Sequence, residues 1–104
     1  MYEDIRPPKD FKHAASERGA KTVLLLNQLS DISYDKAITM ILYSEFGQLL
    51  RHEYTKAWYS PEYWNYVSVC RNYNLTPAEP KEFYDFRDLD QLTETFRKKF
   101  FEES

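Results

Sequence analysis

Through most of this chain the apolar residues recur at the three- and four-residue spacings of an amphipathic helix. Nowhere do they alternate singly with polar residues between the Gly or Asn turns that a hairpin needs. Val23, Leu24, Leu26 and Leu29 gather close to i, i+3 spacing behind Asp10, an N-cap residue type, which predicts a first helix from about Asp10 to Leu29. Gly19 falls inside it. A glycine in a helix interior costs about 1 kcal/mol relative to Ala, so this helix is expected to start softly.

The run Ser30-Asp31-Ile32-Ser33 supplies capping side chains, after which Tyr34, Ala37, Ile38, Ile41, Leu42, Phe46, Leu49 and Leu50 keep the 3.6-residue period. The stripe continues through Tyr54, Ala57 and Trp58. One long helix from Tyr34 to about Tyr59 is therefore predicted, some 25 residues or roughly 38 Å at 1.5 Å per residue, with Gly47 as a place to bend. Ser60-Pro61-Glu62 then starts a new helix: Ser caps, Pro at the first helical position lacks a donor that would go unsatisfied anyway, and Glu meets the positive end of the dipole. That helix places Tyr63, Tyr66, Val67 and Cys70 on one face and ends near Tyr73, where Asn74 suits a left-handed position.

Pro77 and Pro80 make the following segment a loop with at most one helical turn. Asp88 with Gln91 opens the last helix, whose apolar stripe is Leu89, Leu92, Phe96, Phe100 and Phe101, with Arg97, Lys98 and Lys99 near its negative end. At the other end of the chain, Pro7-Pro8 between charges predicts a flexible, extended arm over residues 1–9, ahead of a single α-helical domain over 10–104. The fold class expected is all-α: a compact bundle of about four helices with an extended N-terminal arm.

Composition narrows the setting. The 104 residues suffice for one hydrophobic core, and 42% hydrophobic and 17% aromatic content is far from the balance of a disordered segment. The net charge of −3 offers no general attraction to nucleic acid or anionic lipid. Cys70 is the only cysteine, which rules out an internal disulfide and suits a reducing compartment, so a cytoplasmic protein is expected. The aliphatic run Val23-Leu24-Leu25-Leu26 is far short of a membrane span, and "MYEDIRPPKD" has neither the basic nor the apolar region of a secretory leader. No membrane partner is expected.

Candidate chemistry is sparse. His13, His52 and Cys70 are widely separated, whereas a metal needs convergent ligands, so no metal site is assigned. Cys70 falls on an apolar face without a neighbouring base, and no catalytic residue is put forward. Gly19 and Gly47 are isolated, so no phosphate cradle and no cofactor is expected. The spacing Pro77-Ala-Glu-Pro80 formally matches a polyproline-II ligand but lacks apolar flanks.

Two stretches stand out. "AWYSPEYWNYV" brings Trp58, Tyr59, Tyr63, Trp64 and Tyr66 around one helix corner, more ring area than one end of a small bundle encloses. Tyr59 and Trp64, off the main stripes, are expected to remain exposed. Glu79, Glu82, Asp85, Asp88, Asp90 and Glu94 are interleaved with Phe83, Tyr84 and Phe86, a pattern of aromatic anchors and steering charges suited to a basic groove. The expected function is a small non-catalytic regulatory or inhibitory module. It would bind another protein, or a second copy of itself, by steric occupation of a surface. Its contact residues would be Trp58, Tyr59, Tyr63, Trp64, Glu82, Phe83, Tyr84 and Asp85. The alternative is a helix-turn-helix-like nucleic-acid-binding regulator built on the helix, the 30–33 turn and the helix from Tyr34, although that second helix opens with Asp35 beside a single Lys36.

Overall fold

The computed structural model describes residues 9–102, and the arm over residues 1–9 falls almost wholly outside them. Asp10 caps the first helix, α1 (Phe11–Ser30), by accepting the His13 amide at 3.0 Å. Gly19 does not interrupt it. Here the glycine is a point of close approach: a Cβ on Gly19 would stand 2.3 Å from Cζ of Phe96, the far end of whose ring meets the helix there. Asp31 then takes a left-handed conformation with φ 56°, its amide closing on the Asn27 carbonyl, and ends the helix.

Ser33 caps α2 (Tyr34–Leu42) by accepting the Lys36 amide. The long helix to Tyr59 is not formed: the chain leaves helical geometry at Tyr43 and Ser44 and restarts as α3 (Glu45–Leu50). Ser44 is extended at ψ 164°; its hydroxyl donates to the Ile41 carbonyl at 2.8 Å and accepts the Gly47 amide at 3.0 Å, so one buried side chain ends one helix and caps the next. Gly47 sits so close to the end of α2 that a Cβ would fall 1.9 Å from the Ile41 carbonyl oxygen. A straight helix of roughly 38 Å would have crossed the whole body, whose longest axis is 36 Å, leaving its second half without a core to face. The break folds that half back, and Phe46, Leu50, Ala57 and Trp58 are buried as the apolar pattern requires. Tyr54, expected on the same stripe, is instead 77% exposed on a 3₁₀ turn (Glu53–Thr55).

A second 3₁₀ turn (Ala57–Tyr59) leads into α4 (Glu62–Asn72). Ser60 is not its cap. Pro61 holds the N-cap position, with no side-chain bond, and the Ser60 hydroxyl lies 2.7 Å from both the Ala57 carbonyl and Asn65 Oδ1. Asn74 ends the segment with φ 58°, as its residue type predicts. Residues 75–88 form an irregular strap that closes in a hydrogen-bonded turn at Arg87 and Asp88, the Leu89 amide meeting the Phe86 carbonyl at 3.1 Å, and α5 (Leu89–Arg97) follows, continued by a π-helical turn (Lys98–Glu102). Asp88 precedes α5 but makes no capping bond, because its carboxylate accepts the Tyr34 hydroxyl at 3.0 Å.

The long α1 is the spine, with α2, α4 and α5 packed around it and α3 bridging α2 to α4. Val23, Leu24, Leu25 and Leu26 are all buried because three neighbours cover successive faces of the helix. Tyr66, Phe96 and Phe100 are the largest fully enclosed side chains, the last two stacked at 4.8 Å. The architecture is an all-α compact bundle of four principal helices plus the short α3, and no strand occurs among the described residues.

Candidate interaction surface

The aromatic corner is built from the 3₁₀ turn at Ala57–Tyr59 and the first turns of α4. Lys56 enters it in a left-handed conformation at φ 60°, turning the chain sharply enough to drive Trp58 inward. Trp58 is 8% exposed and its indole N–H donates to the Glu53 carbonyl at 2.8 Å, so this ring is core and offers no contact surface. Tyr66 is fully enclosed and Tyr63 half-buried. Tyr59 and Trp64 stand out at 59% and 63% exposure.

The backbone beneath those two rings is tied to α1. Arg18 donates from Nε to the Trp58 carbonyl at 3.2 Å and from its other arm to Glu62 at 2.7 Å, with Lys21 on the same carboxylate at 3.5 Å. The Asn65 side chain folds back on Ser60 and closes the turn from the other side. Nothing in the periodicity singled out Arg18 or Asn65, because their roles depend on which helix α4 packs against.

The acidic-aromatic strap is held as firmly, and by side chains rather than by secondary structure. Ala78 is clamped on both sides: its amide donates to the Tyr66 hydroxyl and its carbonyl accepts the Tyr63 hydroxyl, each at 2.8 Å. Further along, the Gln28 amide pairs with the Asp85 backbone like a short piece of sheet, accepting the Asp85 N–H at 2.9 Å and donating to the carbonyl at 2.7 Å. Lys81 reaches the Gln28 carbonyl, and its own amide donates to the Tyr84 hydroxyl. Burial, reinforced by the Glu79 carboxylate, pushes the Tyr63 hydroxyl above its usual range; burial and Asp88 do the same for Tyr34.

Within the strap the four expected contact residues divide. Tyr84 is half-buried, and Asp85 is taken up by Arg87, whose guanidinium meets its carboxylate at 2.7 and 3.0 Å and holds it below the usual carboxylate range. Phe83 is 80% exposed at the tip, with Glu82 exposed beside it. Tyr63 joins the two regions, since its ring lies 6.2 Å from that of Trp64 and its hydroxyl holds the strap. The Pro77–Pro80 spacing is engaged within the molecule through Ala78.

The chemically suggestive residues are dispersed. His13 and His52 are exposed on different elements, His52 beside the Tyr54 ring at 5.4 Å. Cys70 is fully buried and its thiol is pushed upward by that burial. Among the described residues no group of three metal-ligating side chains converges, and no helix is long and apolar enough to cross a membrane. The helix-turn-helix order is present as α1, Asp31–Ser33 and α2, with Lys36 the one cation on a helix flanked by Asp31 and Asp35.

One feature had no counterpart in the sequence pattern. A groove of about 710 Å³ runs between the end of α1, α2 and residues 73–76, floored by Ile32 and Met40 and walled by Leu29 and Leu75. Its residues come from three separated segments, so no local spacing announces it. Comparison with protein-family models, curated proteins and solved structures finds no match to this chain.

Proposed function

We propose that this chain is a non-catalytic protein-binding module that acts by covering a surface of its partner. Tyr59 and Trp64 are the anchors of one contact region, and Phe83 with Glu82 those of a neighbouring one. The observation that carries this reading is large aromatic rings, 59%, 63% and 80% exposed, on backbone that side-chain hydrogen bonds already hold in place. A ring displayed on ordered backbone contributes its buried area on binding without the entropic cost of ordering a loop, and for that reason preorganised Trp and Tyr dominate interface energetics. The carboxylates of Glu79 and Glu82 favour a partner with a basic rim. The order α1, turn, α2 favours a second reading, a nucleic-acid-binding regulator, but the charges on α2 oppose phosphate.

The test is affinity capture of the tagged protein from its own cells at low and moderately high salt, with and without nuclease, alongside the Trp64→Ala and Tyr59→Ala variants. Under the proposed function, one nuclease-resistant protein partner is retained by the wild type and weakened more than fivefold by either variant at unchanged melting temperature. Loss of all partners on nuclease treatment would replace it with the nucleic-acid reading. A fall in melting temperature with no loss of partner would return both rings to the core.

A further inference from the structure

The groove beside α2 and the tip of the strap each pair an apolar surface with one charge of each sign, and they lie next to one another on the surface. The groove opens to solvent above the buried Ile32 and Met40, with the more exposed Leu29, Tyr73 and Leu75 on its walls and Asp31 and Lys36 on its rim. Lys36 is exposed and has no ion-pair partner among the described residues. The tip presents Lys81-Glu82-Phe83, an 80% exposed ring preceded by one charge of each sign, and Glu82 is likewise without an ion-pair partner among the described residues. Lys81 is anchored on the carbonyl of Gln28, whose chain neighbour Leu29 forms one wall of the groove, so the tip and the groove adjoin.

We propose that the occupant of this groove is the strap tip of a second copy of the chain. Phe83 of each copy enters the groove of the other, Glu82 meets Lys36, and Lys81 approaches Asp31. Two complementary features side by side on one surface are satisfied simultaneously by a twofold axis passing between them, which gives a closed isologous dimer rather than an open filament. The groove volume of about 710 Å³ is ample for a phenyl ring and the stem of a neighbouring side chain. The contact rests on one anchor ring and one principal charge pair per copy, so a weak, concentration-dependent dimer with marked salt dependence is expected. Dimer formation covers Phe83 and leaves Trp64 free, so in a dimer the aromatic corner remains open to a different partner while the strap does not.

Sedimentation equilibrium of the full chain, from micromolar to several hundred micromolar and at low and high salt, reads the association directly. The wild type is expected to pass from monomer to dimer with concentration. Lys36→Glu and Glu82→Lys, both at exposed positions, are each expected to weaken the dimer roughly tenfold by setting like charges together. An equimolar mixture of the two variants is expected to recover the wild-type affinity, since each of the two contacts then pairs opposite charges again. Phe83→Ser is expected to weaken association at least fivefold with melting temperature unchanged. Trp64→Ala is expected to leave it unaltered, which separates this result from the test of partner binding. A chain that stays monomeric throughout, a dimer indifferent to both charge changes, or a mixture that shows no recovery would each overturn the proposal.

Discussion

Replacing Gly19 by Ala puts the packing of α1 against α5 to a quantitative test, because helix propensity and packing oppose each other at this position. In an exposed helix the change would stabilise by about 1 kcal/mol. Here the new Cβ would stand 2.3, 2.4 and 2.8 Å from three atoms of the Phe96 ring, where ordinary contact needs about 3.5 Å, so the ring must retreat by more than an ångström. It has nowhere to go: Phe96 is fully buried and stacked on Phe100 at 4.8 Å, and Phe100 is itself fully buried. Overpacking of a rigid core costs about 1–3 kcal/mol, and a clash with three ring atoms belongs at or above the top of that range. The net expectation is destabilisation of about 2 kcal/mol, read in thermal denaturation as a fall in Tm of about 8–16 °C. Leu at position 96 lacks the ring atoms that are met, so in a Phe96→Leu background the same Gly19→Ala change should be neutral or stabilising. The double-mutant cycle then reports a coupling of about 2 kcal/mol or more. A Tm that rises with Gly19→Ala in the wild-type background, or a coupling near zero, would refute the close approach of these two helices.

Gly47→Ala should be worse, because the group in the way is backbone: its Cβ would lie 1.9 Å from the Ile41 carbonyl oxygen, which cannot rotate aside as a side chain does. Urea denaturation should show a loss exceeding that of Gly19→Ala, and a smaller loss would mean that the junction of α2 and α3 opens easily. Cys70 should not react with a thiol-specific disulfide reagent at pH 8 in the folded protein and should react once when denaturant is added, since it is fully buried. Its thiol is raised above the ordinary 9.0, so the folded protein keeps a proton that the unfolded chain releases, and stability should hold below pH 9 and fall as pH rises beyond it. The hydroxyls of Tyr34, Tyr63 and Tyr73, raised by partial desolvation, add a loss of the same sign above pH 10, so the comparison is with Cys70→Ala between pH 8 and 9.5, where an identical pH dependence would contradict the burial of the thiol.

Where the sequence spoke reliably, the cause was local. Asp10, Ser33 and Asn74 occupy the capping and left-handed positions that their short polar side chains favour, and the apolar period of α1 and α5 places Leu24, Leu92, Phe96 and Phe100 in the core. The all-α class follows from the same periodicity, and the exposure of Trp64 follows from its angular position off the α4 stripe, whereas Tyr59 is exposed as predicted but on a 3₁₀ turn rather than on a helix. Periodicity is blind to a change of direction that preserves the stripe. The chain from Tyr34 to Tyr59 keeps the apolar rhythm of one helix, yet Ser44 breaks it, because a buried hydroxyl that bonds Ile41 and caps Gly47 lets the second half turn back onto the bundle. Only the tertiary structure decided that Gly19 and Gly47 are points of close contact and that Arg18 and Asn65 brace the corner beneath Tyr59 and Trp64. The strap shows why. Its order comes from Gln28, Tyr34, Tyr63 and Tyr66, residues of α1, α2 and α4 that are far from it in sequence and meet it only when the helices pack. Hydrogen bonds within a turn of helix are written in neighbouring letters, whereas those that hold an irregular segment depend on surfaces that exist only after folding.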